Sequence, residues 1–101
     1  MAASELSRYQ ANLQDEIDGV ALYRALAEVE TDPALAGIYG RLADAEERHA
    51  ELWRGKIRDA GGTLGPEQPA WRTRVLIGLA RRFGPALVLL SLIHISEPTR
   101  H

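Results

Sequence analysis

The chain contains no cysteine, one methionine and few aromatic residues, 6% of its 101 positions. The missing thiol removes disulfide frameworks, thiolate metal sites and thiol nucleophiles together, so any metal must be held by oxygen and nitrogen. A basic excess is also missing. The 12 Lys+Arg against 14 Asp+Glu give a formal charge of −2 and a pI near 5.9, which argues against a nucleic-acid binder. No apolar run reaches the roughly 18–20 residues that span a bilayer. The opening MAASELSRYQ has none of the apolar stretch of a secretory signal peptide. The length admits one domain at most, with little room for a large core. The expectation is a small cytoplasmic domain.

What is present reads helical. Ser4 is expected to cap a first helix, with Glu5 in its first turn. Apolar residues then recur at three- and four-residue spacing: Leu6, Tyr9, Leu13, Val20, Tyr23 and Ala27, widened by Ile17 and Leu26. The pattern stops at Thr31-Asp32-Pro33, where Asp32 can cap a second helix and Pro33 can fill its first position. That helix carries Leu35, Ile38, Tyr39, Leu42, Ala45, Leu52, Trp53 and Ile57, and Gly61-Gly62 ends it. Each helix runs about 26 residues, or roughly 40 Å. So short a link between them predicts an all-α, antiparallel hairpin over residues 4–60. A hairpin of this kind buries only one stripe per helix and should seek further helices from its own chain or a partner.

Residues 61–71, GGTLGPEQPAW, read as a Gly/Pro connector. The segment 72–89 then opens with RTRVLIGLARRF, expected as a short amphipathic helix that Gly84-Pro85 stops. Residues 90–101, LSLIHISEPTRH, are of another kind. Reverse-translated, Leu90 to Arg100 match, codon by codon, a transposase adapter used in sequencing libraries. The tail is therefore expected to be non-native, with genuine coding sequence running out near Leu89, and His94 and His101 are set aside as ligands.

Two seams are broken by charge. On the first helix Leu6, Tyr9 and Leu13 are followed by Glu16, then Val20 and Tyr23; on the second, Tyr39 and Leu42 are followed by Glu46, His49 and Trp53. Glu46 and His49 lie three apart and so share a face. A carboxylate on an inward seam is costly without a partner. Folding the hairpin about residues 31–32 puts Glu16 about 15 residues from the turn, and Glu46 and His49 about 14 and 17. At 1.5 Å per residue the three meet within roughly one helical turn, some 23 Å from the loop. Two carboxylates and an imidazole at one level suit a transition metal, iron or manganese best. In four-helix dimetal sites two helices each give a Glu and two each give Glu-x-x-His. Glu16 with Glu46-x-x-His49 is half of such a set.

The remaining signals are weaker. Asp15, Asp18, Asp44, Glu47 and Glu51 read as solvated helix faces, and Tyr9, Tyr23, Tyr39 and Trp53 as core, Tyr23 being the one that could flank the metals. Arg72, Arg74, Arg81 and Arg82 form a modest basic patch, either a solvated face or a membrane-surface contact. Gly61-Gly62-Thr63-Leu64-Gly65 follows a helix and lacks the Gly-Lys-Ser/Thr ending of a phosphate loop. No Ser/His/Asp arrangement is readable, because His49 is the one histidine outside the tail.

The segments DEIDGVALYRALAE and LADAEERHAELWR carry a resemblance to the ferritin-like superfamily, in particular the rubrerythrin-type di-iron domains, over roughly residues 8–89. A narrower similarity runs through GGTLGPEQPAWRTRVLIGLARRFGPALVL. It resembles the connector of bacterial proteins in which such a domain precedes a membrane transporter of the vacuolar iron transporter type. The resemblance implies iron or manganese binding, oxidation of ferrous iron by oxygen or peroxide, and coupling to metal export or storage. It makes Glu16, Glu46 and His49 metal ligands. It also implies a second Glu helix, a second Glu-x-x-His helix and then membrane spans where this chain enters its adapter-like tail. One chain supplies half the ligand set of a di-iron centre.

Three readings follow. The first is a truncated N-terminal ferritin-like domain of a membrane metal transporter, on the cytoplasmic face of the inner membrane. The second is a self-contained ferroxidase that completes its centre by homodimerisation, as encapsulin-associated ferritins do. The third is a metal-free structural hairpin.

Overall fold

The computed structural model describes residues 2–86 and 88. Among these it contains three helices and no strand: α1 (Ala2–Val29), α2 (Pro33–Asp59) and α3 (Trp71–Phe83). The expected tail, residues 90–101, lies outside the described residues.

Helix α1 starts two residues before Ser4, which is therefore an interior residue and not a cap. Alanines 2 and 3 explain the extension, since alanine is the strongest helix former and nothing in the sequence stops it. The α1–α2 junction follows the expected chemistry. Asp32 adopts an extended conformation, as a residue before proline prefers, and its side chain accepts from the Ala34 N–H at 3.0 Å. Helix α2 ends in a Schellman motif. Gly61 has φ +83, its N–H donates to the Arg58 carbonyl and the Gly62 N–H donates to the Ile57 carbonyl. A side chain at Gly62 would collide with Leu6, so the connector can cross α1 only where it is bare.

Contacts between α1 and α2 descend in register: Tyr9 with Trp53, Glu16 with His49, Gly19 with Glu46, Arg24 with Asp44. The core divides in two around this level. Toward the open end of the hairpin, Leu13, Ala50 and Ile57 are buried with Leu6, Tyr9, Ile17, Trp53 and the connector's Leu64 against them. Toward the turn, Leu22 and Leu26 of α1 bury with Tyr39 of α2 and Ala80 of α3. The stripe expected on α1 thus changes face midway, because different neighbours cover its two halves.

The stripe expected on α2 splits as well. Tyr39 and Ile57 are buried, along with Ala43 and Ala50, whereas Ile38, Leu42 and Leu52 are exposed. Their face of α2 has no helix of the described residues packed on it.

Residues 62–70 form no regular element, as expected of the connector. Helix α3 begins at Trp71, one residue before the expected start, and Gly84 (φ +92) ends it. Pro85 and Ala86 resume helical backbone, so the glycine is the stop and the proline starts anew.

Candidate metal centre

Glu16, Glu46 and His49 each offer a ligand atom within 4.8 Å of the others. The site sits between the two core clusters, where both helices are held by apolar contacts above and below. His49 Nδ1 lies 3.2 Å from Glu46 Oε1 and 3.7 Å from Glu16 Oε1. Metal–oxygen and metal–nitrogen bonds are about 2.1 Å, so neighbouring ligands on one ion stand roughly 3.0–3.4 Å apart. The donor set could hold a divalent transition metal: the Glu46–His49 pair is at ligand spacing, and Glu16 would have to draw in by a few tenths of an ångström to share the ion.

The three side chains differ in solvent access. Those of Glu16 and Glu46 are 19% and 28% exposed, whereas that of His49 is 59% exposed. The carboxylates form a floor and the imidazole stands at an open mouth. Burial pushes the Glu16 carboxyl above its ordinary range, the facing Glu46 carboxylate adds to the rise, and His49 and Trp53 oppose it. A cation placed there would oppose that rise by favouring the charged form of Glu16.

Gly19 belongs to the site although the sequence does not mark it. A Cβ there would fall 2.9 Å from Glu46 Oε2. The bare backbone of α1 is what lets the Glu46 carboxylate lie against it. A glycine one turn after Glu16 is the available sequence signal, but it gains meaning only once the two helices are in register.

Other expected residues fall differently. Tyr23 packs with the cluster around Leu26 and Tyr39, as expected of a core residue. Asp15 and Asp44 are exposed, as expected, and Asp44 also meets Arg24 of α1 at 3.3 Å. Asp18, Glu47 and Glu51 are not merely solvated. Asp18 Oδ1 accepts from the N–H of Ala70, the residue before α3, at 2.8 Å and so ties the end of the connector to α1. Glu47 and Glu51 accept from the largely buried Arg54 at 2.9 and 3.1 Å. Arg54 also grips Glu67 of the connector through two bonds of 2.7 Å. The contacts to Ala70 and Glu67 need the connector's path, which no local pattern specifies, whereas Glu51 and Arg54 pair three residues apart within α2.

Among the described residues no helix is long and apolar enough to cross a membrane. Comparison with known proteins finds no matching family model, no matching curated protein and no matching solved structure.

Proposed function

We propose that the chain is an iron- or manganese-binding domain of the ferritin-like, rubrerythrin type, and that α1 and α2 are an antiparallel half of a four-helix bundle. The observation that carries this reading is the convergence of Glu16, Glu46 and His49 from two helices, with ligand atoms within 4.8 Å of one another. The descending order of α1–α2 contacts supports the antiparallel run.

In this role Glu16 and Glu46 neutralise the cation and His49 fixes one edge of its coordination sphere. Ferrous iron is the substrate, and oxidation or sensing of it serves metal transport or iron homeostasis. Two ferrous ions supply the two electrons that reduce one hydrogen peroxide to two waters, with uptake of two protons. Glu16 is suited to take part in that proton traffic, since burial and Glu46 already favour its protonated form.

A second half-site completes the centre. The exposure of His49 and of the flanking Ile38, Leu42 and Leu52 favours a second copy of the hairpin as its source. The alternative source is a second helix pair encoded downstream of Leu89, in a transporter-type parent. Genomic sequence through that point distinguishes the two.

Aerobic Fe(II) titration with metal analysis tests the function itself. Bound iron, a ferric absorbance and loss of both in a Glu46→Ala/His49→Ala variant are expected. Iron uptake that is absent, or identical in the variant, leaves the metal-free structural hairpin as the correct reading.

A further inference from the structure

Helix α3 packs one face against the hairpin, where Thr73 and Ala80 are buried and Leu76 and Ile77 partly so. A surface helix of this kind ordinarily turns a polar face outward. Here Trp71, Val75, Gly78 and Arg82 follow each other at spacings of four, three and four on the outward face, and Trp71 is 65% exposed. Phe83, at the helix end, is 61% exposed. The charges that α3 itself carries are all of one sign, although Glu28 of α1 and Glu30 just after it lie near its C-terminal end. The sequence of α3, WRTRVLIGLARRF, has four arginines and no acidic residue, in a chain whose net charge is −2.

Of the four, Arg81 is paired with Glu28 at 3.2 Å. Among the described residues Arg72, Arg74 and Arg82 make no ion pair, while Arg72 lies 5.5 Å over the Trp71 ring and Arg82 5.9 Å over the Phe83 ring. Exposed aromatics ringed by unpaired guanidinium groups match the layering of an anionic bilayer surface. There indole and phenyl rings enter the headgroup zone and arginines meet lipid phosphates. We propose that α3 docks this domain in-plane on membranes rich in anionic lipid. An oligonucleotide would also attract the arginines, but the outward Val75 and Phe83 favour an apolar partner beneath the charge. This inference is independent of the metal reading, since α3 contributes no ligand to the site.

The test is sedimentation of the full chain with phosphatidylglycerol vesicles and with phosphatidylcholine vesicles, alongside tryptophan emission. The expected result is salt-sensitive binding to the anionic vesicles with a blue shift of emission that a Trp71→Ser variant loses. Replacing Arg72, Arg74 and Arg82 by Gln should weaken that binding on the order of a hundredfold, about fivefold for each cationic side chain near the surface. Circular dichroism checks that the variant remains helical, and single Arg→Gln variants, each expected to weaken binding about fivefold, read the same effect if it does not. Equal binding to both vesicles, binding without the Trp71 shift, no vesicle binding, or preferential binding to an oligonucleotide each overturns the proposal.

Discussion

Glu16 faces a second carboxylate with partial burial and holds its proton more firmly than a free glutamate does. A carboxyl whose folded-state value is raised contributes its extra stability at acid pH and loses it as pH rises through that raised value. Near neutrality the metal-free chain therefore carries an unfavourable charge pair at the site. Glu16→Gln should raise resistance to urea near pH 7 by about 0.5 kcal/mol, the scale of a partly exposed pair, while abolishing iron binding. Lower stability of the variant at neutral pH would contradict this sign. Gly19 gives a related separation of stability from binding. Gly19→Ala improves helix propensity by up to about 1 kcal/mol, and the nearest atoms its methyl group meets belong to the flexible Glu46 side chain. The variant should melt at the same or a higher temperature yet bind iron more weakly, because Glu46 has been pushed off its perch. Unchanged iron affinity in a titration would show that Glu46 needs no such clearance.

At the scale of elements, the legible part was what depends on spacing along one helix and distance from a short turn. Glu16, Glu46 and His49 come together because rise per residue is fixed and the turn between Val29 and Pro33 leaves little slack. Asp32 as a cap and Gly61-Gly62 as a stop depend on local backbone chemistry and were equally readable. The pairings of Asp18 with Ala70 and of Arg54 with Glu67 were not, because those partners lie on an irregular connector. That connector is nevertheless clamped: Arg54 holds Glu67, Asp18 holds Ala70 and Gln14 holds the Gln68 carbonyl at 2.9 Å. The Arg54 guanidinium keeps the Glu67 carboxyl below its ordinary range against the opposing effect of burial. Its sign is the reverse of that at Glu16. The stability is present above the unfolded glutamate value of about 4.3 and is lost as pH falls through the lowered folded value. Arg54→Met should cost about 1.5–3 kcal/mol near neutrality, the range for hydrogen bonds to charged groups. Urea titrations across the acid range should show Glu67→Gln with a shallower acid loss than the parent. A parallel acid profile in that variant would mean the clamp adds no pH dependence.

For the whole molecule, the decisive feature is the face of α2 on which no helix of the described residues packs. Ile38, Leu42, Ala45, His49 and Leu52 follow at alternating four- and three-residue steps, the seam spacing of packed helices. Ile38, Leu42 and Leu52 are exposed, and the one polar member, His49, is the most open of the three candidate ligands. An apolar seam that brackets a metal-type histidine is suited to bury itself against an equivalent surface, which would set two half-sites face to face across a two-fold axis. Association and tight metal binding should then be a single event. Analytical ultracentrifugation of the native chain should give twice the 11.1 kDa monomer mass, with iron shifting the equilibrium further toward the dimer. Leu42→Lys/Leu52→Lys places charges on the seam without touching a ligand or a buried residue, so helicity should survive while dimerisation and high-affinity iron uptake fall together. The coupling is the critical outcome. A variant that sediments as a monomer and still binds iron with the native affinity would show that Glu16, Glu46 and His49 suffice within one hairpin, and the two-copy centre would have to be abandoned.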